Sequence, residues 1–150
     1  MLLGLCLAIT AQAQGTLKGV WEVRERTQIE GDESTTISDP QPSLYLFTDR
    51  YYAIMFVPGT EPRPDLMVVQ QQLRQASGED LVAAFNTFIA NAGTYEVSGS
   101  RLTRNIVVAR IPGAMGVTSD WEYEVQGDTL TITSTNAAGV TTITTLTRLE

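Results

Sequence analysis

The chain has 150 residues, 43% of them hydrophobic and 18% charged, the balance of one folded domain with a real core. Seventeen acidic residues outweigh ten basic ones, a formal net charge of -7, and such a surface repels nucleic-acid phosphates and anionic lipid. Histidine is absent and the one cysteine is Cys6, which excludes serine–histidine–aspartate triads and nearly all zinc sites.

Residues 1–14, MLLGLCLAITAQAQ, read as an export signal: an apolar run from Leu2 to Ile9, then the small-x-small pattern Ala11-Gln12-Ala13. The segment is short and has no positive start, so the expected start of such a signal lies upstream. A first barrel strand or a lid helix is the alternative. The run is well below the ~20 residues of a bilayer span. Cleavage removes Cys6, leaving a periplasmic or secreted domain over 15–150 that holds together without disulfides.

Beyond residue 14 the pattern is period-two alternation broken by turn residues, the mark of half-buried strands. Eight strands are expected at 17–28, 43–48, 51–57, 94–98, 101–110, 118–126, 129–135 and 140–149. Residues 58–65, PGTEPRPD, carry three prolines and predict an irregular loop on the rim. Residues 79–92 predict a helix, with Leu81, Phe85, Phe88 and Ala92 at helical spacing and Ser77 or Gly78 at the cap. The sum is an all-β fold, an eight-stranded antiparallel up-and-down barrel with one helix before the fifth-to-last strand. A two-sheet sandwich satisfies the same alternation. A barrel of about eight strands is just wide enough for one small ligand.

Gly19-Val20-Trp21 at the head of the first strand matches the G-x-W signature of lipocalins. The ordered stretches GVWEV, LYLFTDRYYAIMF, AAFNTFIANAGTYEV, LTRNIVV and GDTLTIT…TTLTRL resemble the bacterial lipocalin-like domain family of the calycin superfamily. The resemblance implies a barrel closed at one end by Gly19 and Trp21, with Arg148 laid across the indole as a cation–π pair. It also implies a departure, since the family pattern often has histidine near Arg104. Arginine keeps the cation but shuttles no proton at neutral pH.

The candidate ligand-binding residues are inward-facing polar groups and aromatic walls: Glu25, Tyr45, Tyr52, Phe56, Phe85, Phe88, Tyr95, Arg104, Trp121 and Tyr123. Strict alternation puts Glu25 on the face of Trp21 and Val23, whereas a strand that leaves the barrel early, or a bulge after Val23, would put it in solvent. Arg104 alternates with Leu102, Ile106 and Val108. If it projects inward it needs an anionic partner, either Glu25 or the carboxylate of a bound metabolite. Phe85 and Phe88 are expected to plug or flank the barrel mouth.

These features predict an exported binder of a small apolar or amphipathic molecule, with no cofactor, no metal and no catalytic residue. The alternative is a cyclase or isomerase acting on a hydrophobic metabolite, with Glu25 paired to Tyr52 or Tyr123. A barrel with a filled interior is the third reading.

Overall fold

The computed structural model describes residues 17–63 and 77–150, so the expected export signal lies outside the described residues. The strands are β1 (Gly19–Glu30), β2 (Glu33–Ser38), β3 (Ser43–Phe47), β4 (Tyr51–Phe56), β5 (Ile89–Ser98), β6 (Arg101–Ala109), β7 (Thr118–Gln126), β8 (Thr129–Thr135) and β9 (Thr141–Arg148). One helix, α1 (Gly78–Asn86), stands between β4 and β5.

Pairing runs β2-β1-β3-β4-β5-β6-β7-β8-β9 and then from β9 back to β1. Eight strands close an antiparallel barrel, as the alternation predicts. β1 is long enough to serve two neighbours on one edge. Gly19–Trp21 pair with β3, and Glu25–Glu30 pair with β2. On its other edge β1 pairs with β9 from Trp21 to Ile29. The short polar strand β2 was not expected, because ESTTIS carries one large apolar residue and so no inward alternation.

The helix is shorter than its periodicity implies. Ser77 caps it, its Oγ accepting from the Asp80 amide at 3.1 Å, but it stops at Asn86. The Thr87 hydroxyl donates to the Ala83 carbonyl at 2.9 Å and closes the last turn. The chain then becomes β5 at Ile89, five residues earlier than expected. Ala90, Ala92 and Thr94 face outward, while Ile89, Asn91, Gly93 and Tyr95 lie opposite inward residues of β4 and β6. Small alanines permit either period, and pairing with β4 selects the strand. Gly93 sits at a bulge where a β-carbon would lie 1.9 Å from the Asn105 carbonyl oxygen, so the close approach of β5 to β6 requires glycine.

The core gathers at one end of the barrel. Leu17, Trp21, Phe47, Tyr95, Leu102, Leu130 and Leu146 are buried there, with Tyr52 and Tyr123. At the other end the inner faces of β1, β8 and β9 become polar, with Arg26, Ser134, Thr142 and Thr144.

Candidate functional site

Two devices shape the barrel interior. The first closes its apolar end. Trp21 is fully buried, and its Nε1 donates to the Leu17 carbonyl at 2.9 Å. The Arg148 guanidinium carbon lies 4.0 Å from the indole centroid, and Nη1 donates to the Lys18 carbonyl at 2.6 Å. Gly19 has φ +137, and a β-carbon there would stand 2.3 Å from the Glu150 carbonyl oxygen. Only glycine fits where the head of β1 meets the residues that follow β9.

The second device is a bulge between Val23 and Glu25, which makes Arg24 the extra residue opposite β9. Before it Trp21 and Val23 face inward; after it the phase is reversed. Glu25 pairs with Thr145 and points to solvent, where the Ser38 hydroxyl donates to it at 3.4 Å. Arg26 turns inward beside Phe56, its guanidinium carbon 5.7 Å from the ring centroid. The inward placement of Glu25 is therefore corrected, and with it goes any pairing with Tyr52 or Tyr123. The backbone disturbance is satisfied internally. The Val23 amide donates to Ser43 Oγ at 2.8 Å, and Asp39, at φ 48, donates its amide to the Arg24 carbonyl. Ser43 stands at the point where β1 changes neighbours.

Arg104 does face inward and is only 7% exposed. Nη2 donates to Ser119 Oγ at 2.8 Å and Nη1 to Asn91 Oδ1 at 3.3 Å. Its guanidinium carbon lies 3.4 Å from the Trp121 ring centroid and 5.3 Å from that of Tyr52. Nε and the Tyr52 hydroxyl are both buried without a hydrogen-bond partner; they are neighbours, but no hydrogen bond of good geometry forms between them. Among the described residues no carboxylate lies within 4.0 Å of Arg104 or Arg26. Burial lowers the Arg104 pKa to about 10, against the opposing pull of Tyr52 and Tyr45. Burial likewise raises Tyr45 to about 12, against the nearby Arg26 and Arg104.

These side chains line a cavity of about 220 Å³ at the open end. Its walls are Tyr45, Ile54, Phe56, Ile89, Trp121 and Ile132; its polar groups are Arg26, Arg104, Asn91, Ser134, Thr142 and Thr144. A larger depression of about 320 Å³ lies against the barrel wall, lined mainly by Ala53, Met55, Ala90, Ala92 and Val108, but it is open and almost wholly apolar. The barrel cavity combines aromatic walls with clustered cations, as that depression does not.

Of the expected residues, the structure brings Tyr45, Phe56, Arg104 and Trp121 together around this cavity. Tyr52 lies beneath it, against Arg104. Tyr95 and Tyr123 belong to the buried core; Tyr95 packs edge-on against Phe47 and donates its hydroxyl to the Thr48 carbonyl. Phe85 and Phe88 are not among the residues that line the cavity: Phe85, on a helix that buries none of its residues, is half exposed with Arg110 over its ring, and Phe88, just beyond α1, has Arg63 over its ring. Arg26 was missed because strict alternation assigns it outward, and Asn91 because it falls in the expected helix. The loop 58–65 is described as far as Arg63, where the Gln41 side chain donates to the Thr60 carbonyl at 3.2 Å. Among the described residues no group of three or more acidic, cysteine or histidine side chains converges as metal ligands. No helix there is long and apolar enough to cross a membrane.

The family model of the lipocalin-like domain matches residues 18–148, from before Trp21 to the arginine laid across it. The chain belongs to the lipocalin-like domain family. Among solved structures, this lipocalin-like chain is similar to a lipocalin-like protein from Bacteroides uniformis, at 12% identity and TM-score 0.47, over 90% of this chain and 100% of that one. It is also similar to an uncharacterized protein from Bacteroides eggerthii, at 10% identity and TM-score 0.46, over 87% and 98% of the two chains. A redesigned β-barrel aligns with 99% of this chain and 100% of its own, at 13% identity and TM-score 0.46. No curated protein matches the chain.

Proposed function

We propose that this lipocalin-like domain is an exported carrier or receptor that holds a small apolar or amphipathic molecule, non-covalently, in the open end of its barrel. The observation that carries the reading is the 220 Å³ cavity, with aromatic and aliphatic walls and polar groups contributed by five strands. Burial against Tyr45, Phe56, Ile54 and Ile132 supplies affinity, and the polar groups orient the ligand. Pockets for drug-sized molecules run to about 300–1,000 Å³. The ligand is accordingly compact, or leaves part of itself outside the mouth. The export reading rests on the residue 1–14 pattern, and fractionation of cells expressing the full gene tests it.

The binding reading is tested by titrating the protein with the neutral fluorophore N-phenyl-1-naphthylamine, beside an Ile132→Trp variant whose larger side chain fills the cavity. Saturable fluorescence enhancement that the variant loses supports the reading. Enhancement unchanged in the variant would place the dye elsewhere, and no enhancement with a panel of such dyes would leave a filled barrel.

A further inference from the structure

We propose that Arg26 and Arg104 together form a receptor for the anionic head group of the ligand, a carboxylate on a compact apolar body. The proposal rests on the cavity-binding reading and narrows it.

A guanidinium taken out of water loses several kcal/mol of hydration and normally recovers it from an anion. Arg104 is buried, yet its hydrogen bonds go to neutral groups, Ser119 and Asn91, and among the described residues no carboxylate stands beside it. The one acidic residue expected inside, Glu25, is turned outward by the bulge. That same bulge delivers Arg26 to the cavity wall. Among the described residues, two cations and no acidic residue therefore line one small space in a chain whose net charge is -7. Charges on the outer surface are screened within about 8 Å at physiological salt, whereas these two act on a desolvated guest. Tyr45 lines the same cavity, near enough for its hydroxyl to feel the charge of both arginines.

Arg104 is stacked on Trp121 with its guanidinium carbon 3.4 Å from the ring centroid, and Asn91 and Ser119 hold its two terminal nitrogens, so the cation is fixed in place before a carboxylate arrives. Phe56, Ile54 and Ile132 leave room for a short apolar body beside it. A long acyl chain would have to leave through the mouth.

Isothermal titration of the protein with trans-cinnamate and with methyl trans-cinnamate separates the two claims. The expected result is that the acid binds about tenfold or more tighter than the ester. Arg104→Gln should erase that ratio, and Arg26→Gln should reduce it about threefold or more, with the ester affinity held in both. Arg26 lies nearer solvent, so its variant keeps the test usable if Arg104→Gln folds poorly. Equal affinity for acid and ester, or a ratio unchanged in the Arg26 and Arg104 variants, would overturn the anion receptor while leaving the binding cavity intact. Failure of the wild type to bind either compound would count against both.

Discussion

Arg104→Met should leave the ligand-free barrel as stable as the wild type or slightly more so. Lowering an arginine pKa from its ordinary value to about 10 corresponds to a cost of about 3 kcal/mol for keeping the charge at neutral pH. A desolvated cation–π contact returns about 2 kcal/mol, and Arg104 lies over Trp121 at 3.4 Å. The charge thus costs the folded state on the order of 1 kcal/mol net. Methionine has a similar length, no charge, and packs readily on an aromatic face. Ser119 and Asn91 lose their partner, but both are only half-buried, so solvent can replace it. Thermal denaturation at pH 7 should show a Tm within a few degrees of wild type, with a rise of about 3 °C the central expectation. Arg104→Lys keeps a charge without the flat fork and should be less stable than Arg104→Met. A loss of more than about 2 kcal/mol in Arg104→Met would refute the reasoning and make Arg104 a structural cation.

Alkaline titration should show opposed contributions. Below pH 10 Arg104 is charged folded and unfolded, so its cost stands in full; it is relieved as pH rises above about 10, where the folded chain releases that proton first. Tyr45 works the other way. Its pKa is raised to about 12 by burial, so the unfolded chain loses the proton first and stability falls between pH 10 and 12. Tyr45→Phe should flatten that fall in denaturation midpoints measured across the range. Gly19→Ala should cost about 2–3 kcal/mol in urea denaturation, because it combines a left-handed φ with a clash against the Glu150 carbonyl. Ser43→Ala leaves the Val23 amide buried without its acceptor and should cost about 1–3 kcal/mol; hydrogen exchange at Val23 should quicken well beyond that of its β1 neighbours.

The barrel was legible in the sequence because alternation, a local and repeating signal, marks its strands. Its closed end was legible only through the family resemblance, which implies the roles of Gly19, Trp21 and Arg148. The site was legible only in part. Tyr45, Phe56, Arg104 and Trp121 lie on strands whose phase never breaks between turn and site. Glu25 and Arg26 lie just past a bulge, where one extra residue exchanges the two faces. Nothing in VRERT states that shift: it follows from β1 leaving β3 for β2, with Ser43 stitching the junction. Asn91 was hidden because Ala90 and Ala92 satisfy helical and extended periods equally well. Its neighbours on β4 and β6, distant in sequence, decide between them.

The most direct test of the cavity uses methyl resonances of isotopically labelled isoleucine. Ile89 and Ile132 line the barrel cavity, whereas Ile111 is exposed outside it. Titration with trans-cinnamate should shift Ile89 and Ile132 saturably and leave Ile111 unmoved. Shifts centred on Ile111, or an unperturbed Ile89 and Ile132 at saturating ligand, would contradict a binding site inside the barrel.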